Sequence, residues 1–217
     1  MALLDGSLTL SIPPRMTAYT GLDALAHAIE AYTSKFKKNA LSDMLTREAL
    51  RLLGGALERA VRVGSDADAR SEMLLGACFA GMAFANSPVG AVHALAYPIG
   101  ALFHVPHGLS ISLLLPHVVR FNAAEAQVAE MYSELAGVAF PALSALPSGR
   151  PRALAFAEKL AALAVDFEIP TRLRDVGISE GDIGRLVEDA MKQTRLLPNN
   201  PRPVGPSEAK ELFEIAL

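Results

Sequence analysis

The chain has 217 residues, 51% hydrophobic and 20% charged, with a formal net charge of −3. That length buries a sizeable core in one substantial domain or two small ones, and acidic and basic residues mixed along the chain leave no electrostatic footprint for nucleic acid or an anionic membrane. The lone Cys78, in the apolar run MLLGACFAGMAF, has no partner inside the chain and calls for no oxidising compartment. No uninterrupted apolar run approaches the ~18 residues of a membrane span, and MALLDGSLTLSIPPR lacks the basic and apolar regions of a secretory signal, so the expected location is cytoplasmic.

In chain order, Leu8 to Ile12 alternate weakly and stop at Pro13-Pro14, which predicts an extended lead-in over residues 1–15. A helix is predicted from Thr20 or Gly21 to about Thr33, striped by Leu22, Leu25, Ala26, Ala28 and Ile29. It carries Asp23 and His27, and residues four apart project from one helix face about a turn from each other. Asp23 also stands near the predicted N-terminus, where the helix dipole favours a carboxylate with or without a metal. A second helix begins at Ser42 and stops near Gly64. Its Gly54-Gly55 pair follows no strand and belongs to no phosphate-binding motif, so close helix packing is its expected role. A third helix, about Asp68 to Ala85, is apolar on most sides in its second half and is expected to be central.

Four of the five histidines fall between Ser87 and Asn122. Ser87-Pro88 reads as a helix start, a capping hydroxyl followed by proline at the first helical position. The helix it opens carries His93 and, one turn on, Tyr97, and Pro98 is expected to kink or end it. His107-Gly108 begins a further apolar helix that Pro116 interrupts; for His117 a packing or supporting role is expected rather than ligation. Amphipathic segments follow at about 124–138, 151–166, 179–193 and 207–216, separated by turns such as LPSGRPR and LPNNPRPVGP, with Ser179 and Asp182 patterned as a capping box. No series of strands and no repeat appear, so the predicted fold class is all-α, a multi-helix domain over residues 16–217.

One carboxylate, Asp23, and three imidazoles, His27, His93 and His107, form a donor set suited to a divalent first-row metal. A single histidine on an apolar helix face is ordinarily a core residue, so the reading rests on the set rather than on any member. Imidazole suits Fe, Zn, Ni and Cu, which leaves the metal open from the residues alone.

GLDALAHAIEAY, then HALAYPIG and FHVPHGLSISLLLPHVVRFN in that order, closely resemble the C-terminal helical domain of the iron-containing (group III) alcohol dehydrogenases. LSDMLTREALRLL, ARSEMLLGACFAGMAFANS and a late NPRPV also look like family segments. The resemblance runs from about Leu8 to near the C-terminus. It implies that Asp23, His27, His93 and His107 hold Fe²⁺, with Zn²⁺ as the alternative, and that the family reaction is interconversion of a small alcohol and aldehyde with hydride transfer to or from NAD(P). Where many relatives carry another histidine for the proton relay this chain has Tyr97, as some branches do. A phenol with a pKa of about 10 is a poor base at neutral pH, which makes His104 the other candidate. The family's N-terminal nucleotide-binding domain lies outside this chain, so the lead-in is expected to descend from that domain and activity is expected to need it as a separate partner. A homodimer is expected rather than a monomer. The alternatives are a non-catalytic metal-binding or structural helical module and, within the superfamily, a transhydrogenase or glycerol dehydrogenase-like oxidoreductase.

Overall fold

The computed structural model describes residues 2–217, and the all-α expectation holds: among them there are nine α-helices and no strand. In order these are α1 (Pro14–Thr33), α2 (Ala40–Arg62), α3 (Ala67–Asn86), α4 (Ala91–Phe103), α5 (His107–Asn122), α6 (Ala126–Ala139), α7 (Arg150–Asp166), α8 (Ile183–Ala190) and α9 (Pro206–Ala216). No single helix among the described residues is long and apolar enough to cross a membrane.

The two inner helices are α1 and α5. Helix α1 packs against α2, α3, α5 and α6, and α5 against α1, α4, α7 and α9. Their buried faces explain why: Leu22, Leu25 and Ile29 of α1 and Ile111, Leu114 and Val119 of α5 join one hydrophobic cluster that continues to Ala216. Burying a Leu or Ile side chain contributes roughly 1.5–3 kcal/mol, so these stripes fix which helices lie inside. The prediction of α3 as a central helix is only partly met. Many of its apolar residues, Cys78 included, are half-buried, although it packs closely on α1 and α2.

Several local expectations change. Gly6–Thr9 winds into a 3-10 turn rather than an extended lead-in, and α1 starts at Pro14, well before Thr20. The reason is that proline at the first helical position loses no hydrogen bond and already has a helical φ. Arg70, buried on α3, anchors this start by donating to Thr17 Oγ1 (2.6 Å), Ile12 O (3.0 Å) and Gly64 O (3.0 Å). Ser87 does not cap α4. Its hydroxyl donates to Ala31 O (2.7 Å), Pro88 O accepts from Ser34 Oγ (2.7 Å), and the helix opens later, at Ala91. Pro98 and Pro116 each sit inside a helix that continues past them, to Phe103 and Asn122.

Gly54 and Gly55 divide. A Cβ on Gly54 would lie 2.1 Å from Ala139 O, which explains how closely α2 and α6 cross, whereas one on Gly55 meets nothing within 4 Å. The late NNPRPV segment locks the end of the chain to the middle. Asn199 Nδ2 donates to Val89 O (3.1 Å), and the side chains of Asn200 and Asn122 exchange hydrogen bonds of 2.8 and 3.1 Å. That segment therefore holds the loop that leads into α4.

Candidate metal centre

Three helices converge on one point. Asp23 and His27 project from α1, His93 from the first turn of α4, and His107 from the first residue of α5. Gly108 makes the last placement possible, because a Cβ there would stand 2.2 Å from Tyr19 O on α1. With hydrogen alone at that position, α5 begins against the α1 backbone and His107 reaches Asp23.

Asp23 Oδ1 is the hub. It lies 3.4 Å from His93 Nε2, 3.5 Å from His107 Nε2 and 3.8 Å from His27 Nδ1. Ligand atoms around a tetrahedral ion with bonds of about 2.1 Å stand about 3.4 Å apart, so the first two spacings suit a shared cation. Asp23, His93 and His107 offer donor atoms that all lie within 4.8 Å of one another. His27 is the fourth candidate and sits beside this set rather than inside it. Its ring stacks on Phe84 (centroids 4.5 Å, 19° between planes) and tilts against His93 at 4.5 Å.

Asp23 Oδ1 and His93 Nε2 are both buried, and neither makes a hydrogen bond. A buried polar atom left unpaired costs roughly 1–3 kcal/mol, so two such atoms facing each other mark a place built for something else. The charges agree. Burial opposes the Asp23 carboxylate, but the imidazoles of His107, His93 and His27 outweigh it and hold its pKa well below the usual carboxylate range. Burial likewise opposes a charged His93, yet Glu30 and Asp23 flank it and raise it to about 9, whereas desolvation lowers His27 to about 4. His93 thus stands between the carboxylates of Glu30 and Asp23, and both raise its pKa.

Glu30 was not singled out from sequence. Buried at 6% exposure, it brings Oε2 to 2.5 Å from His93 Nδ1, while Oε1 accepts from the N–H groups of Gly90 (3.1 Å) and Val92 (2.8 Å). The cap that Ser87 does not supply to α4 is thus supplied from α1. The available signal was an acidic residue two turns after Asp23 in an otherwise apolar stripe.

On its outer side the cluster is open, with His107 46% and Tyr97 40% exposed. The Tyr97 ring centroid is 5.9 Å from that of His107 and 6.5 Å from that of His93. His104 is exposed in the left-handed conformation that ends α4 (φ 56°), and among the described residues no side-chain hydrogen bond or ring contact ties it to the cluster. His117 lies elsewhere, lining a cavity of about 490 Å³ with Ser112, Arg120 and Arg172; burial, with Arg120 adding to it, lowers its pKa to about 4.

The family model described as "Fe-containing alcohol dehydrogenase family, C-terminal" matches residues 17–217. Long-chain-alcohol dehydrogenase 1 of Geobacillus thermodenitrificans is 39% identical over 218 residues, covering 100% of this chain and 54% of the relative. A crystal structure of 1,3-propanediol oxidoreductase superposes with a TM-score of 0.88 at 37% identity, covering 98% of this chain and 55% of that one. Sulfoacetaldehyde reductase from Bifidobacterium kashiwanohense, solved in complex with NAD⁺, gives a TM-score of 0.83 at 28% identity, covering 98% of this chain and 53% of that one. The chain spans about half the length of the curated relatives it matches.

Proposed function

The chain belongs to the Fe-containing alcohol dehydrogenase family, matching its C-terminal part, and on that premise we propose that it is the metal-binding half of a dehydrogenase interconverting a small alcohol and its aldehyde with NAD(P). The observation that carries this reading is the pair of buried, unpaired atoms Asp23 Oδ1 and His93 Nε2, with His107 Nε2 beside them. Asp23, His93 and His107 would hold the ion, and His27, 3.8 Å from Asp23 Oδ1, would be the fourth donor. A divalent ion here, Fe²⁺ with Zn²⁺ as the alternative, supplies Lewis acidity toward the substrate oxygen.

The remaining work falls to the chain's own groups. Asp23 would bring the one carboxylate of the donor set to offset the charge of a bound cation. The stacked rings of His27 and Phe84 bound one side of the cluster. Tyr97, on the open side next to His107, is placed to hold the substrate hydroxyl by a hydrogen bond. A nicotinamide cofactor would supply the hydride acceptor or donor. The same reading gives the chain a nucleotide-binding domain as partner and a homodimer as its assembly.

The test is to co-express this chain with the N-terminal half of the Geobacillus relative and follow alcohol-dependent NAD(P) reduction after loading with Fe²⁺ or Zn²⁺. Activity that needs the metal and vanishes in His107→Ala is expected. A folded complex that carries metal and oxidises no primary alcohol with either nicotinamide would favour the second reading, a metal-binding module without catalysis of its own.

A further inference from the structure

Glu30 donates no atom to the ligand set, yet it is more deeply buried than Asp23. A buried carboxylate costs several kcal/mol unless its oxygens are paired. Glu30 answers that with N–H donors alone: His93 Nδ1 on one oxygen, Gly90 and Val92 on the other. The first contact decides the chemistry of His93. An ionised carboxylate can only accept, so Nδ1 carries the proton, and Nε2 is the nitrogen left to face Asp23 Oδ1 at 3.4 Å. The second contact acts on the backbone, because Gly90 and Val92 flank the opening of the helix from whose first turn His93 projects.

We propose that Glu30 is the positioning residue of the metal centre: with one oxygen it holds His93 in the Nδ1–H tautomer, and with the other it anchors the N-terminus of α4, so that Nε2 is presented in the donor state and at the right place. The inference rests on the metal-centre reading above. It separates two jobs that one substitution can split. In Glu30→Gln the amide oxygen still accepts from Gly90 and Val92, but the amide nitrogen then faces His93 Nδ1. As a donor it requires Nδ1 to accept, which moves the histidine proton to Nε2 and blocks ligation.

The experiment is a titration of the metal-free wild-type and Glu30→Gln chains with Co²⁺, read by its visible absorption bands, beside thermal melts of both metal-free proteins. The expected result is a cobalt affinity about 10–100-fold weaker in the variant, the range that loss of a ligand's outer partner produces, in a chain that still folds but melts lower without metal because the buried Glu30–His93 pair is broken. A purely structural Glu30 would shift the melt and spare the affinity, and equal cobalt affinity overturns the inference. Wild-type protein that takes up no cobalt overturns the metal-centre reading together with it. Should the variant fail to fold, histidine nitrogen NMR of the zinc-loaded wild type decides: a His93 proton on Nδ1 supports the inference, and one on Nε2 contradicts it.

Discussion

Replacing Asp23 with asparagine is expected to weaken metal binding by at least about 100-fold, beyond the 10–100-fold typical for losing a ligand's supporting partner, while the helices stay folded. Asp23 Oδ1 is the atom the other three candidates share, at 3.4, 3.5 and 3.8 Å. Among the described residues it is also the one carboxylate in the candidate donor set, since Glu30 contacts His93 Nδ1 instead. Asparagine keeps the shape and removes the charge, so the effect reports electrostatics rather than packing. Calorimetric titration with Zn²⁺ beside circular dichroism checks it, and an unchanged affinity in a folded variant would remove Asp23 from the ligand set.

Gly108→Ala is the second large effect, and it joins the fold to the site. The new methyl would stand 2.2 Å from Tyr19 O and 2.5 Å from Tyr19 C, both backbone atoms that cannot rotate away. Either α5 retreats from α1 or its first turn unwinds, and each route separates His107 from Asp23. Overpacking costs typically 1–3 kcal/mol; with backbone on both sides the upper end applies, a loss of about 3 kcal/mol. For a chain of this size that lowers the melting temperature by roughly 6–12 °C. Metal affinity should fall in the same variant. Gly55→Ala is the control, because its methyl meets nothing within 4 Å and alanine favours a helix interior by up to about 1 kcal/mol over glycine. Thermal melts of the two variants should move in opposite directions; a Gly108→Ala chain that melts with the wild type would show that the close α1–α5 crossing is not needed.

What could be read from the chain beforehand was what repeats locally. The i, i+4 spacing placed Asp23 and His27 on one face of α1, and the apolar stripes gave most of the nine helices to within a few residues. Ser179 and Asp182 meet as their spacing suggests, with Ser179 N–H donating to Asp182 Oδ2 at 2.9 Å and Asp182 N–H to the Ser179 carbonyl at 3.0 Å.

What escaped depends on contacts between distant segments. Ser87 carries a hydroxyl suited to capping, but the Ala31 carbonyl claims it, and α4 takes its cap from Glu30, whose partner His93 is 63 positions away. Gly54 and Gly55 look alike in sequence, and only the crossing of α6 tells them apart. Pro14 looks like a barrier in sequence and is a first helical residue, because proline's missing N–H costs nothing there. His107 is the ligand candidate and His104 the relay candidate from sequence, three residues apart. The left-handed turn at His104 sends the chain back, so that His107 opens α5 at the cluster while His104 stays outside.

The most direct test of the metal centre is elemental analysis of the anaerobically purified chain, wild type beside the His93→Ala/His107→Ala double variant, after incubation with Fe²⁺ or Zn²⁺ and removal of free ion. If Asp23, His27, His93 and His107 bind one ion as proposed, about one metal per wild-type chain is expected and none in the variant. Metal absent from both, or retained equally by both, would contradict the assignment of these residues as its ligands.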